Sequence, residues 1–322
     1  MAILRPSPLT SSAPSMWFKN LTVYRLPADW SWSAASLEEA LARRPLQPCS
    51  ALEMRSMGWV PPAPTERLLH TVGEQHLLAL GVDQKLLPAS IVRQEAELRA
   101  RAQARTQGFP VGRRQMRALK LQVLDELRAR ALTRRRTTRA WIDPGNGWLV
   151  VDSASDRRAE ELVETLRDTL GSLAVQKVDT ERSPSVCMAT WLMQADAAGS
   201  FSIEQDLELQ SGEPAKSIVR YRRHPLDGKE VRAYVAAGKR PTQLGLTWNG
   251  RVSFVLTEKL QIKRIEFLEM APEKGDGEEI DAAEQFDLDF AVMAGELARL
   301  LEELIRELNG REGAVRPAAA AA

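Results

Sequence analysis

Two stretches of the sequence concentrate the side chain best matched to phosphate. The first holds Arg113, Arg114, Arg117 and Lys120, followed by Arg128, Arg130, Arg134, Arg135, Arg136 and Arg139. The second runs from Arg220 through Tyr221, Arg222 and Arg223 to Lys229, Arg232, Lys239 and Arg240. A guanidinium is planar, always charged and presents forked donors that fit phosphate oxygens. Between residues 85 and 139 there are 15 Lys/Arg against 4 Asp/Glu, although the whole chain carries a net charge of only +1. Charge runs are usually solvated faces with acids interspersed. Here the acids are missing, so the cations repel one another unless an anion compensates, and a polyanion partner is expected. Few aromatic residues lie among them, Phe109 and Tyr221 being the exceptions. That pattern disfavours a single-strand stacking platform and favours a duplex backbone.

Other chemistries lack support. The sequence contains neither GxxxxGK[ST] nor GxGxxG, so no phosphate-cradling loop is expected. His70, His76 and His224 are not at metal-ligand spacing, and Cys49 and Cys187 have no partner at zinc or CxxC spacing. No GxSxG elbow is present. Glu284, Asp287 and Asp289 could mimic a metal-binding nuclease cluster. Acids near a helix start are favoured by the helix dipole in any case, and that is the better explanation. No catalytic residue, metal ligand or cofactor is therefore assigned. No apolar run approaches the roughly 20 residues that span a bilayer.

The elements that must position the arginines follow from periodicity. Ile91 to Gln107 reads as a polar helix, broken by Gly108, Pro110 and Gly112. A second helix runs from about Arg113 to Leu132, with Met116, Leu119, Val123, Leu124 and Leu127 forming one apolar stripe. Together they predict a basic helical hairpin that projects as an arm. Leu21, Val23 and Leu26 alternate as a strand, and Ser36 with Glu39 forms a capping box for a helix through Leu41. Met57 to Pro62 reads as a rigid turn. His76–Leu80 and Lys85–Leu87 read as a hairpin around Gly81-Val82-Asp83.

Asn146-Gly147 and Asn249-Gly250 each mark a hairpin between apolar runs. A helix from Ser155 or Asp156 to Leu170 ends at Gly171, and a short helix begins near Asp227. Thr190–Met193, Phe201–Leu209 and Gln261–Leu268 read as strands. The last helix carries Phe286, Phe290, Met293, Leu297, Leu300, Leu304 and Leu308 in a near-heptad stripe. That stripe either packs on its own sheet or forms a subunit contact.

The expected fold class is α+β, with antiparallel hairpins, scattered helices, the projecting arm and a long C-terminal helix. Residues 1–15 read as a disordered extension with Met16 as the natural beginning, 272–281 as an acidic linker and 310–322 as a disordered tail. The expected divisions are a central domain of 16–88 with 140–200, an arm of 89–139 and a base domain of 201–309. Two subunit contacts are assigned. One is the stripe of Phe290, Met293, Leu297, Leu300 and Leu304; the other is Leu132, an apolar residue among arginines. The residues assigned to DNA are Arg113, Arg114, Arg117, Lys120, Arg128, Arg130, Arg134, Arg135, Arg136, Arg220, Arg222, Arg223, Lys239 and Arg240.

The chain also resembles a known family, the recombination-associated protein RdgC. The resemblance rests on Met16-Trp17-Phe18-Lys19-Asn20-Leu21 with Val23-Tyr24-Arg25-Leu26, Pro48-Cys49, Met57 to Pro62, and Leu87-Pro88. Trp141-Ile142-Asp143 with Asn146-Gly147, Val151 to Ser155, Ala159-Glu160 and Leu170 to Leu173 continue it. Phe286 to Phe290 and Met293 to Leu297 complete a collinear set. The two lone cysteines make a reducing, cytoplasmic setting the default, and the resemblance implies a bacterial, nucleoid-associated protein that binds double-stranded DNA without marked sequence preference. It implies a homodimer closed into a ring around duplex, and antagonism of the RecA recombinase. At Leu132, between Ala131 and Thr133, the family often carries an aromatic residue. At Gly108-Phe109-Pro110 relatives can carry basic ones.

A non-enzymatic DNA-binding ring is thus the leading expectation. A magnesium-dependent nuclease using the C-terminal carboxylates is the alternative. A weaker third reading is an adaptor whose acidic C-terminal half binds a basic partner.

Overall fold

The computed structural model describes residues 16–212, 216–268 and 281–309. The expectations for 1–15, 310–322 and most of the acidic linker lie outside the described residues. The fold is α+β. In chain order its elements are β1 (Asn20–Arg25), α1 (Ala34–Ala42), β2 (Arg55–Val60), β3 (Leu69–Val72) and β4 (Gln75–Lys85). Next come α2 (Ala89–Gln107), α3 (Arg113–Arg130), β5 (Thr133–Asp143), β6 (Trp148–Val151), α4 (Asp156–Leu170) and β7 (Gln176–Lys177). The remainder are α5 (Pro184–Gln194), β8 (Phe201–Gln210), β9 (Ile218–Tyr221), α6 (Lys229–Ala236), β10 (Arg240–Trp248), β11 (Val252–Thr257), β12 (Ile262–Phe267) and α7 (Ala282–Asn309). No helix among the described residues is long and apolar enough to cross a membrane.

The chain divides into two compact units. One comprises Leu26–Val151 with Ser155–Gln176; the other takes the segment before it, Asp152–Ala154, and everything from Lys177. The stretch 16–88, read from the sequence as one piece, is shared between them.

The first of these units is an antiparallel sheet built on β4. This strand is eleven residues long, and one of its edges carries two short strands end to end. β3 pairs with its first half through Leu69↔Leu78 and Val72↔Gln75, and β2 with its second through Val60↔Ala79 and Arg55↔Gln84. The other edge pairs along its length with β5, from His76↔Ile142 to Lys85↔Thr133. The expected hairpin around Gly81 is therefore absent, because His76–Lys85 runs straight. Gly81 serves packing instead: a Cβ there would come within 2.8 Å of Val60 and Leu46. The turn lies at Gly73, at φ 60°. The expected rigid turn at Met57 is strand β2. Its Gly58 lets the backbone of Pro45–Leu46 lie against the strand, where a Cβ would meet Leu46 at 2.5 Å.

One cap differs from expectation, and one turn follows it. Ser33, not Ser36, caps α1, accepting from the Ser36 amide at 3.2 Å. The Asn-Gly hairpin between β5 and β6 forms as expected, with the Asp143 carboxylate holding the Asn146 amide at 3.1 Å and Gly147 at φ 69°. α4 covers one face of this sheet with Leu162, Val163, Leu166 and Leu170, all buried, and Trp59 Nε1 donates to Thr169 at 3.0 Å. Each such apolar side chain contributes about 1.5–3 kcal/mol of burial.

The second unit orders its strands β1-β12-β11-β10-β8-β9, all antiparallel. Asn249 and Gly250, at φ 52° and 67°, turn β10 into β11. Thr190–Met193, expected as strand, lies in α5. There Cys187, Met188, Trp191 and Leu192 are buried at helical spacing behind Pro184 at the first turn. The long α7 corrects a further expectation. Phe290, Met293, Leu297, Leu300 and Leu304 are each no more than 1% exposed within a single chain, so they are core and offer no face to a second subunit. Met293 Sδ accepts from the Phe18 amide at 3.2 Å, and the Glu303 carboxylate accepts from Trp248 Nε1 at 2.8 Å. The stripe therefore packs within its own unit.

Candidate nucleic-acid interface

α2 and α3 pair as a helical hairpin. Gly108, left-handed at φ 82°, ends α2, and the Gln115 side chain accepts the Gly112 amide at 3.0 Å to start α3. Only Ala96, Ala100 and Val123 are buried in the two helices. The small alanines let α3 approach; of the expected stripe Val123 is buried and Met116, Leu119, Leu124 and Leu127 are half-buried.

A flank of α3 beside this stripe is cationic. At 100° per residue, Arg113, Arg117, Lys120 and Arg128 fall on one stripe, with Arg114 at its margin. The stripe extends for roughly 20 Å, a length over which duplex DNA carries on the order of ten phosphate charges. Arg113, Arg114, Arg117 and Lys120 are exposed. Among the described residues none of the four forms an ion pair. The first turn of α3 contains no acid, so its arginines stand at the positive end of the helix dipole, where cations are disfavoured. Three of the four acids of the hairpin are engaged, Glu97 being the exception, and one of them holds Arg128 at the end of the stripe. Glu95 and Glu126 both bind Arg99, at 2.9 and 2.8 Å, and Asp125 binds Arg128. Arg99 holds the Glu126 carboxyl below its usual range, with help from Gln122 and from Arg130.

The arginines after α3 are arranged differently from expectation. α3 ends at Arg130, and Arg134, Arg135, Arg136 and Arg139 lie on strand β5. Successive strand side chains alternate between faces, so the run does not make one patch. Arg135 grips the buried Asp83 in a fork, Nε to Oδ1 and Nη2 to Oδ2, each 2.8 Å. That contact holds the Asp83 carboxyl below the usual range against its burial. Arg136 turns to the α4 face and binds Glu161 at 2.6 Å. Arg134 is exposed and without an ion pair among the described residues. Leu132, the assigned subunit contact, is 78% exposed, while its carbonyl accepts the Leu86 amide at 2.8 Å.

The second basic group belongs to the other unit, and among the described residues its Arg220 alone forms an ion pair. Arg220 pairs across the ladder with Glu208 at 2.6 Å. The Tyr221 hydroxyl donates to Glu230 at 3.1 Å, and burial first, then that carboxylate, push its pKa up to about 12. Arg223 donates its amide to Asp206, which also pairs with Arg264 at 2.9 Å. Lys239 lies 5.4 Å from the Tyr234 ring centroid and donates to Ser217 at 2.9 Å. Arg222 and Arg240 are exposed.

The nuclease alternative finds no assembled centre. Glu284, Asp287 and Asp289 sit at the start of α7, where Asp289 accepts from Gln285 at 2.9 Å. Among the described residues no group of three or more His, Cys, Asp or Glu could hold a metal ion.

Sequence reasoning missed one cluster. Arg55 from β2 and Arg136 from β5 both bind Glu161 of α4, and Arg157 and Arg158 lie near enough to disfavour the charge on Arg136. These residues come from three separate elements, so no local run announces them.

Residues 16–311 match the family profile described as "RdgC: Putative exonuclease, RdgC". A protein of Dechloromonas aromatica named "Recombination-associated protein RdgC" is 45% identical over 92% of this chain and 98% of its own length. Proteins of the same name from Cupriavidus pinatubonensis and Burkholderia cenocepacia are 46% and 43% identical, over 93% and 95% of this chain and the whole of each relative. With the match covering nearly every described element, the chain belongs to the RdgC family of recombination-associated proteins.

Proposed function

We propose that this chain binds double-stranded DNA through its phosphate backbone, with little sequence preference, and acts without chemistry of its own. The observation that carries this reading is the unpaired cationic face of α3, with Arg113, Arg114, Arg117 and Lys120 and no acid in the first turn. Such a face gains most from a dense, extended anion, and it offers phosphate-matched donors without a module that reads base edges. Relatives that are named for recombination make DNA the natural polyanion. In this reading the helical hairpin is an arm, the protein is a homodimer closed into a ring around duplex, and its occupancy of nucleoid DNA limits access by the RecA recombinase. With the α7 stripe buried, Leu132 at 78% exposure is the remaining apolar candidate for closing such a ring.

The test is fluorescence anisotropy of mixed-sequence duplexes at graded salt. Neutralising about 6–10 phosphates lowers affinity roughly 10³- to 10⁵-fold between 50 and 200 mM salt. A flat salt response, or strong preference for one sequence, rejects the reading. Leu132→Asp is expected to leave binding to linear duplex and hasten release from closed circles. A wild-type monomer in light scattering rejects the ring. The family description as an exonuclease favours one second reading. Incubating linear duplex with magnesium and protein separates the two: cleavage supports the nuclease, and a shift without cleavage supports the binder.

A further inference from the structure

We infer that Arg55, Arg136, Arg157 and Arg158, organised by Glu161 at the start of α4, form a second phosphate-binding site. The inference rests on the proposed duplex binding for one of its two phosphate sources and stands without it for the other.

The geometry begins with strand register. Met57 of β2 pairs with Val82 of β4, which pairs with Arg136 of β5. Directly paired residues share a face, as do alternate residues along one strand. Arg55 and Arg136 therefore emerge on the same face of the sheet, two strands apart. α4 crosses that face, with Thr165 Oγ1 against Met57 Sδ at 3.6 Å, and places Glu161 between the two arginines, one carboxylate oxygen for each. One turn earlier on α4, Arg157 and Arg158 stand on either side of the Glu161 direction, at i−4 and i−3. Glu161 thus binds two guanidinium groups, and two more lie close enough to act on Arg136.

The cluster is over-supplied with donors. Arg136 Nε is buried without an acceptor. Desolvation, followed by the charges of Arg158, Arg55 and Arg157, disfavours the Arg136 cation against the pull of Glu161. Glu160 and Glu164, also on α4, are exposed and form no ion pair among the described residues. Asp156 lies in the first turn, and the four arginines gather on the Glu161 side, where Arg157 and Arg158 act on Arg136 beside Arg55. A phosphate there would accept from several forked donors at once, next to a helix start whose amides favour anions. The two sources of that group are a backbone phosphodiester of duplex DNA and a free phosphoanion.

The experiment compares three full-length proteins: wild type, Arg157→Ala/Arg158→Ala, and Arg113→Ala/Arg114→Ala/Arg117→Ala. The probes are a 30-base-pair mixed-sequence duplex at graded salt and tripolyphosphate in thermal melts. Arg157 and Arg158 are exposed, so their alanine variant should fold and melt no lower than wild type without ligand, since it removes repulsion on Arg136. It is expected to bind duplex about 10-fold more weakly, with a salt slope lower by ~2, and to lose protection by tripolyphosphate. An unchanged slope and unchanged protection overturn the site, even where the α3 variant loses duplex binding. If wild type fails to bind duplex, the proposed function falls. Tripolyphosphate protection that disappears in Arg157→Ala/Arg158→Ala then upholds the site as one for free phosphoanions, and absence of that protection overturns it.

Discussion

Two arginine runs lie close together in this chain and meet opposite fates. Arg113, Arg114 and Arg117 open a helix, whose 3.6-residue period gathers them, with Lys120, on one solvent-facing side. Arg134, Arg135 and Arg136 open a strand, whose two-residue period sends neighbours to opposite faces, where Asp83 and Glu161 meet them. Both runs look alike as charge. The helix leaves those cations without ion pairs among the described residues, whereas the strand commits two of its three to the fold. Local charge density therefore forecasts a binding surface only when the element's period keeps the charges together and no acid waits across the ladder.

The sharpest break of that comparison is Arg113→Ala/Arg114→Ala/Arg117→Ala. Duplex affinity is expected to fall at least ~100-fold at low salt, with the salt slope reduced by ~3, while the melting temperature holds or rises because like charges leave a helix start. Anisotropy and a thermal melt read both quantities. Arg135→Ala should do the reverse. It leaves the buried Asp83 without its fork, at a cost of about 1–3 kcal/mol, and changes the salt slope by no more than ~1. Chemical denaturation of both proteins measures the difference.

The pH dependence of that difference sharpens the contrast. Asp83 has a depressed pKa in the folded state, so its pairing stabilises above the unfolded value of about 4 and is lost as pH falls through the folded one. The stability gap between wild type and Arg135→Ala should stay constant at neutral pH and close in acid. A gap that persists in acid would assign Arg135 a packing role. The smallest effect is expected from Arg220→Ala. Its partner Glu208 keeps the Thr242 hydroxyl at 2.7 Å, and an exposed cross-strand pair contributes at most ~1 kcal/mol. Duplex binding should barely change. A loss comparable to that of the α3 variant would make the second basic group part of the interface.

Much of the frame was legible because it rests on local signals. Gly108 and Gly171 end their helices, and both Asn-Gly pairs turn hairpins. The stripe of Met116, Leu119, Val123 and Leu127 is buried at Val123 and half-buried at the rest. What escaped rests on contacts between distant segments. Gly81 looks like a turn residue until Val60 and Leu46 are seen against it, and Thr190–Met193 shows no period that separates a short buried helix from a strand. The α7 stripe was legible as apolar but not as covered, since Phe18 and Trp248 lie far away in sequence. The candidate site divides the same way. The α3 face was readable, but the partners of Arg135 and Arg136 were not, and Arg55, Arg157 and Arg158 carry no sequence signal.

The two basic helices enter the fold at a single point. β4 and β5 are adjacent, antiparallel and paired up to Lys85↔Thr133, and the Leu86 amide closes onto the Leu132 carbonyl just beyond. By connectivity, everything from Leu87 to Ala131 occupies the place of a hairpin turn. An excursion whose ends are already held together adds little loop-closure entropy as it lengthens, and it contributes nothing to the ladder that carries it. The helices are thus a cassette plugged into a β-turn socket. Their length and charge can be rewritten, or the pair exchanged for a short turn, without renegotiating the core beneath.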